Sequence, residues 1–352
     1  MQAKAFEMAS TRLFLLAKIA PMIFGAFLCL LANNCKESEN STGHWKNAPS
    51  RATSEHPGQL NDTPKKSSSE PNVGNSSDKN TPVRFLAYNL KNYLTMRRYI
   101  AGEAVYKEKP RNEVDALIEI ISAANPDILG VCEIGKYADL TDLQNRLATA
   151  GVKLPHAHRV HGSDPTRALA LLSRYPIVKT NSPKQTDYII EGIPFSISRG
   201  ILDATVELPS RTIRLLGVHF KSKRPSQEAD QALMRRNESL LMRQHIKDIM
   251  ASEPETQLIA YGDFNDTKNS KSVSSMRGRS NSNSHMKIIE LLDARGESWT
   301  HHWKLEDIYS RIDFVMTNPK LAPHINKKES KLLDPKNWEV ASDHRPMLVI
   351  IE

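Results

Sequence analysis

The sequence predicts a mixed α/β protein in which two β-sheets pack together and helices flank them. Two observations lead there. Runs rich in β-branched, aromatic and aliphatic residues recur through residues 83–352, and several follow one another with no helical stretch between them. Other runs are separated by segments of helical periodicity. A simple βαβ repeat places a helix after every strand, so this mixture suits two packed sheets with helices outside them.

Each element has its own signal. VRFLAYNL (83–90) is a strand by β-branched and aromatic content. In residues 112–126, Val114, Leu117, Ile118 and Ile121 recur at i, i+3, i+4 and i+7, an amphipathic helix stopped by Asn125-Pro126. DILGVCEIG (127–135) is a buried strand, and RALALLSRYPIV (167–178), ILDATVELP (201–209) and RTIRLLGVHFKSK (211–223) are further strands. Residues 230–250 form a long helix with Leu233, Leu240 and Leu241 on one side. LIAYGDFN, RIDFVMT and PMLVIIE complete the strands. The Ser/Asn/Arg-rich residues 268–285, with Lys268, Lys271, Arg277 and Arg279, are expected to be a mobile surface loop.

Three regions divide the chain. Within residues 1–35, Lys4, Arg12 and Lys18 precede or enter the apolar stretch 13–32. Its unbroken part, 19–32, has the length of a signal-peptide core and is short for a membrane span. LLANNC (30–35) resembles a bacterial lipobox with Cys35 as the lipidated residue, although Asn34 departs from the usual small residue. An uncleaved signal anchor is the rival. Both predict an extracytoplasmic, membrane-tethered protein; secretion is the alternative. Residues 36–82 are rich in Ser, Asn, Lys and Pro and too poor in apolar residues to fold, so they read as a disordered tether. Residues 83–352 are the folded domain.

The formal net charge is +8, and residues 1–82 carry 9 Lys+Arg against 7 Asp+Glu, so most of the excess belongs to the domain. That suits an anionic partner or a solvated surface. The 3 cysteines offer neither a disulfide framework nor zinc spacing.

The polar residues at the ends of apolar runs carry the functional signal. Asn89 follows FLAY, Glu133 follows DILGVC, His219 ends RTIRLLGV, Asp263 and Asn265 lie in YGDFND, Asp313 sits in RIDF, and Asp343-His344 precede the last strand. If the strand runs on through YGDFND, Tyr261, Asp263 and Asn265 share one face. Each residue also has a structural reading. Asn89 can cap a turn, Glu133 can be a surface residue, and His219 can be a satisfied core histidine. Asp313 can be a buried acid paired with Arg311, and Asp343-His344 can open a turn. The joint pattern outweighs these readings, because six independent strand ends seldom all finish this way.

The order N…E…H…GDFN…RIDF…SDH, with VCEIG and SRYPI, resembles the endonuclease/exonuclease/phosphatase superfamily over the whole domain. The resemblance implies a four-layer α/β/β/α sandwich of two mainly antiparallel sheets, like deoxyribonuclease I, with its site at one rim. It implies a phosphoester hydrolase using Mg²⁺ (or Mn²⁺/Ca²⁺), and most directly a phosphodiesterase or nuclease working by in-line water attack. Glu133 is then the principal metal ligand, helped by Asn89 and Asp343. His344, with Asp313 fixing its tautomer, takes the proton from water, and Asp263 is the rival base. Asn265 donates to a non-bridging oxygen. His219 binds the phosphate or protonates the leaving group. Lys221 and Arg311 are candidates to bind substrate, which is a phosphoester, DNA or RNA among the options; no protein partner is predicted.

Departures narrow the family. Lys91 stands where exonuclease III-type repair enzymes carry an acid, and residues 309–313 lack the Trp-Cys-Asp-Arg run of inositol-polyphosphate phosphatases. No aromatic pair comparable to the membrane-inserting hairpin of bacterial sphingomyelinases is legible. A phosphatase or phosphodiesterase of small or lipid phosphates is the alternative. An inactive binding lipoprotein on the same fold would lack a ligand or base, and Glu133, Asp263, Asp313, Asp343 and His344 are all present.

Overall fold

The computed structural model describes residues 81–352, Ser226 excepted. The expected signal segment, Cys35 and nearly all of the tether lie outside the described residues. No helix among the described residues is long and apolar enough to cross a membrane.

The chain opens with β1 (Val83–Tyr93), a hairpin of β2 (Met96–Ile100) and β3 (Glu103–Lys107), and helix α1 (Arg111–Ala124). Next come β4 (Ile128–Ile134), α2 (Tyr137–Thr149), β5 (His156–Val160), β6 (Ala168–Ser173) and β7 (Ile177–Thr180). A hairpin of β8 (Asp187–Ile190) and β9 (Ile193–Ser196) precedes β10 (Leu202–Glu207) and β11 (Thr212–His219). Then follow α3 (Gln231–Ser252), β12 (Leu258–Asp263), α4 (Lys271–Arg277) and β13 (Lys287–Ile288). The last part holds a hairpin of β14 (His301–Trp303) and β15 (Ile308–Ser310), then β16 (Asp313–Thr317), β17 (Ile325–Leu332), α5 (Trp338–Ala341) and β18 (Met347–Ile351).

Two 6-stranded sheets result, ordered β17-β18-β1-β4-β6-β5 and β13-β16-β12-β11-β10-β7. Their pairs are antiparallel except β1 with β4 and β11 with β12. Those two parallel pairs are the ones spanned by α1 and α3, because a parallel crossover needs a long connection.

Period-2 alternation builds the layers. On β1, Phe85 and Ala87 face the second sheet, while Leu86, Tyr88 and Leu90 face α1 and α2. On the second sheet Ile259 and Tyr261 point inward, while Leu258, Ala260 and Phe264 pack under α3 and α4. Both faces of each sheet are buried, which explains the continuous apolar runs. This is the four-layer sandwich.

Four expectations change. The run 167–178 is two strands in different sheets, β6 and β7, broken at Tyr175-Pro176; proline cannot donate to a central ladder. Residues 268–285 contain α4, whose Val273 and Met276 are buried against α3. On α3 the leucine face is wrong: Leu233 and Leu240 are exposed, and the buried face holds Met234, Met242, Ile246 and Ile249 with Arg235, Glu238 and Ser239. Hydrophobic spacing misreads a helix that buries polar groups. Finally, exposed aromatic and aliphatic residues do stand on hairpins: Tyr99 and Tyr106 on β2–β3, Trp303, Ile308 and Tyr309 on β14–β15.

Candidate active site

The strands that end in polar residues end at the same edge of the two sheets. His219 is opposite Asp263 in the β11–β12 register, and Asp263 is opposite Asp313 in β12–β16. Asn89 is opposite Cys132 in the β1–β4 register, one residue before Glu133. Sheet pairing therefore aligns His219, Asp263 and Asp313 in one sheet and sets Asn89 beside Glu133 in the other.

Glu133 needs a further device. Leu129 and Val131 face the helices, so strict alternation would aim Glu133 at the helices too. The register slips at this point, and Glu133 adopts φ 64. The bulge turns its carboxylate into the seam, where Oε2 accepts the Asn92 N–H at 2.9 Å. A bulge with left-handed backbone at a non-glycine residue is strain of the kind that accompanies function.

YGDFND is also explained. The strand stops at Asp263, and Asn265 turns left-handed at φ 49, so Asn265 does not share the Asp263 strand face. Asn265 N–H donates to Asp263 Oδ1 at 2.8 Å, and its Nδ2 donates to the Phe220 carbonyl at 2.9 Å. Gly262 has φ 133, and a Cβ there would stand 1.9 Å from the Val218 carbonyl oxygen. Phe264 stacks edge-on between Phe220 and Phe314, at 5.2 and 5.4 Å, and wedges the turn from beneath.

Asp263 is the hub. Its Oδ2 lies 3.2 Å from Asn89 Nδ2, 3.5 Å from His219 Nε2 and 3.8 Å from His344 Nε2. Asn89 Nδ2 also lies 3.5 Å from Glu133 Oε1 and 3.4 Å from His344 Nε2. His344 Nδ1 bonds Asp313 Oδ2 at 2.8 Å, and Thr300 Oγ1 donates to the same oxygen at 2.7 Å. Asp343 Oδ1 stands 3.9 Å from His344 Nε2 with its side chain partly open to solvent. Asp313 is thus partnered by His344 and Thr300, not by Arg311. Arg311 pairs with Glu290, donates to the Ile289 carbonyl and covers the Phe314 ring, so the structure does not bring it to the cluster. Lys221 is placed two residues beyond His219, with its backbone N–H held by Glu238 at 2.6 Å.

Charges interact strongly here. Burial, followed by the nearby Asp313 charge, pushes the Asp263 carboxyl up to about 7. Burial works against a charged His344, but Asp313, Asp263 and Asp343 around it outweigh that and push it up to about 10. His219 goes the other way, well below the usual histidine range, through burial and the positive charges of Arg199, His344 and Arg167. Burial, and then the same His344 charge, holds the His301 ring, 4.7 Å away, down to about 4.

The donor set fits a hard divalent cation. Glu133 and Asp343 offer carboxylates on either side of the Asp263–Asp313–His344 group, whose polar atoms lie within 4.8 Å of one another. Like charges this close raise one another's pKa unless a cation compensates them, and oxygen-rich clusters select Mg²⁺, Mn²⁺ or Ca²⁺.

Several supporting residues escaped the sequence reading. Thr300 locks Asp313, Ser342 Oγ donates to the Asn89 carbonyl at 2.8 Å, and Asn92 and Arg167 hold Glu133. Ser342 lies in the SDH motif and Arg167 opens RALALLSRYPIV, but nothing local marks either as part of the site. Arg345, next to His344, has a wholly buried side chain that bonds Asp293 at 2.7 Å and covers Trp299 at 3.9 Å.

A two-sheet α/β/β/α sandwich with an Asp–His pair, a GDFN turn and a glutamate bulge at one rim defines the deoxyribonuclease I-like class. A family model described as the Endonuclease/Exonuclease/phosphatase family matches residues 87–344, and the chain belongs to that family. An endonuclease/exonuclease/phosphatase from Bacteroides vulgatus is similar at TM-score 0.55 and 18% identity, covering 77% of this chain and 99% of that one. The human Nocturnin catalytic domain with bound sulfate matches at 0.54 and 19%, covering 77% and 94%. Staphylococcus aureus beta toxin with bound magnesium matches at 0.52 and 13%, covering 77% and 100%. A comparison with curated proteins found no match.

Proposed function

We propose that the protein is a divalent-metal-dependent phosphodiesterase acting on nucleic acid by in-line attack of water. One observation carries the reading: Asn89, Glu133, Asp263, His344 and Asp313, from separate strand ends, meet in one buried cluster with contacts of 2.8–3.8 Å. Crowding these carboxylates at one edge costs desolvation that their partners only partly offset, which fits a functional rather than a structural role. The basic excess of the domain supports a nucleic-acid substrate.

Glu133, Asn89 and Asp343 would hold the cation. When bound, it neutralises phosphate charge and stabilises the leaving oxygen. The chain's own residues do the rest. Asp263, pushed up to about 7, has a proton affinity suited to a base at neutral pH and takes the proton of the attacking water. His344 is kept charged by Asp313, so its Nε2 donates to a non-bridging oxygen and balances the charge that builds there. This reverses the order drawn from sequence, where His344 was the base and Asp263 the rival. His219 stays neutral and donates a hydrogen bond. Asn265 has a second Nδ2 proton for the phosphate. The N-terminal segment supports a further reading, that the enzyme works tethered outside the cytoplasm.

The test incubates the full-length protein and Mg²⁺ with plasmid DNA, RNA and bis-(p-nitrophenyl) phosphate in parallel, with His344→Ala as the contamination control. Nicking of plasmid or loss of RNA by the wild type alone supports the proposal. Turnover of the small diester with nucleic acids intact moves the substrate to small or lipid phosphates. No turnover of any of the three sinks the hydrolase reading.

A further inference from the structure

One wall of the site is cationic, and no step above uses it. Arg167 lies just before β6 and Arg199 just before β10, so they reach the seam from loops over different sheets. The two loops are laced backbone to backbone. Asp164 N–H donates to the Ser198 carbonyl at 2.7 Å, and Ser163 N–H to the Ile197 carbonyl at 3.4 Å. Gly162 is required at the crossing, since a Cβ there would stand 2.0 Å from the Ile197 carbonyl oxygen.

Asp164 holds both arginines. Its Oδ2 lies 3.7 Å from Arg167 Nη1 and 3.6 Å from Arg199 Nε. Arg167 Nε donates to Asn92 Oδ1 at 2.7 Å and lies 3.9 Å from Glu133 Oε2, so the pair abuts the candidate centre. Their side chains remain 24% and 12% exposed, open enough to meet a ligand. Asp164 and Glu133 face these guanidiniums at 3.6–3.9 Å, beyond hydrogen-bond reach. Arg199 Nε and His219 Nδ1 are both buried without a hydrogen-bond partner. The charge of both arginines is felt at His219. A guanidinium donor with no hydrogen-bond partner at the edge of the site suits an acceptor-rich anion.

The wall is fixed in advance. Buried Glu238 on α3 accepts the Lys221 N–H at 2.6 Å. Arg235, one turn earlier, donates to the carbonyls of Lys221 and Ser222 at 3.2 and 3.1 Å. One helix face therefore anchors the segment that follows His219.

We propose that Arg167 and Arg199 form a subsite for a second, non-reacting phosphate of the substrate. The inference rests on the hydrolase reading above and narrows its substrate class to nucleotide chains carrying a phosphate next to the one cleaved. Planar guanidiniums bind phosphate oxygens in pairs, which suits this task better than lysine.

The experiment measures KM for dinucleotides bearing a 5′- or 3′-phosphate against the unphosphorylated dinucleotide, with the full-length protein and Mg²⁺. The wild type should prefer one phosphorylated form by about tenfold, the scale of one charge-assisted hydrogen bond. Arg199→Gln should remove that preference and Arg199→Lys keep part of it. Equal KM for all three substrates in the wild type overturns the subsite, whatever the variants do. Calorimetric titration with pyrophosphate separates the two readings. Binding that Arg199→Gln weakens about tenfold, with no dinucleotide hydrolysed, keeps the subsite and sinks the hydrolase. Absence of pyrophosphate binding overturns the subsite.

Discussion

At the scale of single residues, the site is a competition for protons. Asp263 and Asp313 oppose each other across two strands, and His344 stands between them. A raised carboxyl pKa means the folded protein binds that proton more tightly than the unfolded chain, so the group costs stability as pH rises from about 4 to 7. Asp263→Asn should therefore raise the melting temperature at neutral pH by a few degrees, about 2–4 °C per kcal/mol for a domain of this size. It should also abolish turnover; a variant with lowered stability would argue against repulsion at this pair. If Asp263 is the base, kcat falls as pH drops through about 7, and His344→Gln, though slower by about 10²–10⁴-fold, keeps that acidic limb. Loss of the limb in His344→Gln would return the base role to the histidine.

At the scale of elements, turns decide where side chains point. Gly262→Ala should cost well over about 1 kcal/mol, because φ 133 disfavours any side chain and the new Cβ meets the Val218 carbonyl. Chemical denaturation of purified variant and wild type measures it. The turn carrying His344 depends on Arg345, which is clamped by Asp293 with its side chain fully buried. Asp293→Asn should destabilise by about 1–3 kcal/mol, the scale of a charge-assisted hydrogen bond, because Asp334 and Glu297 stay 3.8 and 4.0 Å from Arg345. Burial alone would raise the Asp293 carboxyl, but the Glu297 N–H, Arg345 and the Arg295 N–H outweigh it and hold it down to about 2. A depressed folded-state value stabilises above the unfolded value, near 4, and that contribution is lost as pH falls toward 2. The gap between wild type and Asp293→Asn should close over that window. A gap that stays constant to pH 2 would place the effect in packing instead.

At the scale of the whole molecule, two sheets converge on one rim and crowd acids there. A cation that binds only the folded state stabilises it by about 2.7 kcal/mol at a hundredfold excess over its Kd. Added Mg²⁺ should raise the melting temperature, EDTA should reverse the rise and stop turnover, and Glu133→Gln should blunt both. A melting temperature indifferent to Mg²⁺ and EDTA would remove the metal from the mechanism.

The sequence by itself determined the sandwich and marked the candidate residues. Strand ends are local, and each of Asn89, Glu133, His219, Asp263, Asp313 and His344 sits at a change from apolar to polar that needs no distant information. What surrounds them is not local. Thr300 locks Asp313 across 13 residues, Arg345 meets Asp293 across 52, and Asn89 meets Asp263 across 174. Periodicity offered Arg311 as a structural partner for Asp313 and the resemblance offered His344; the fold supplies His344. The Glu133 bulge and the polar face of α3 break the very periodicities used to read strands and helices. Burying a charge is costly unless a partner meets it. Only the tertiary structure decides which partner arrives, because the sheet register, not chain proximity, sets who stands opposite whom.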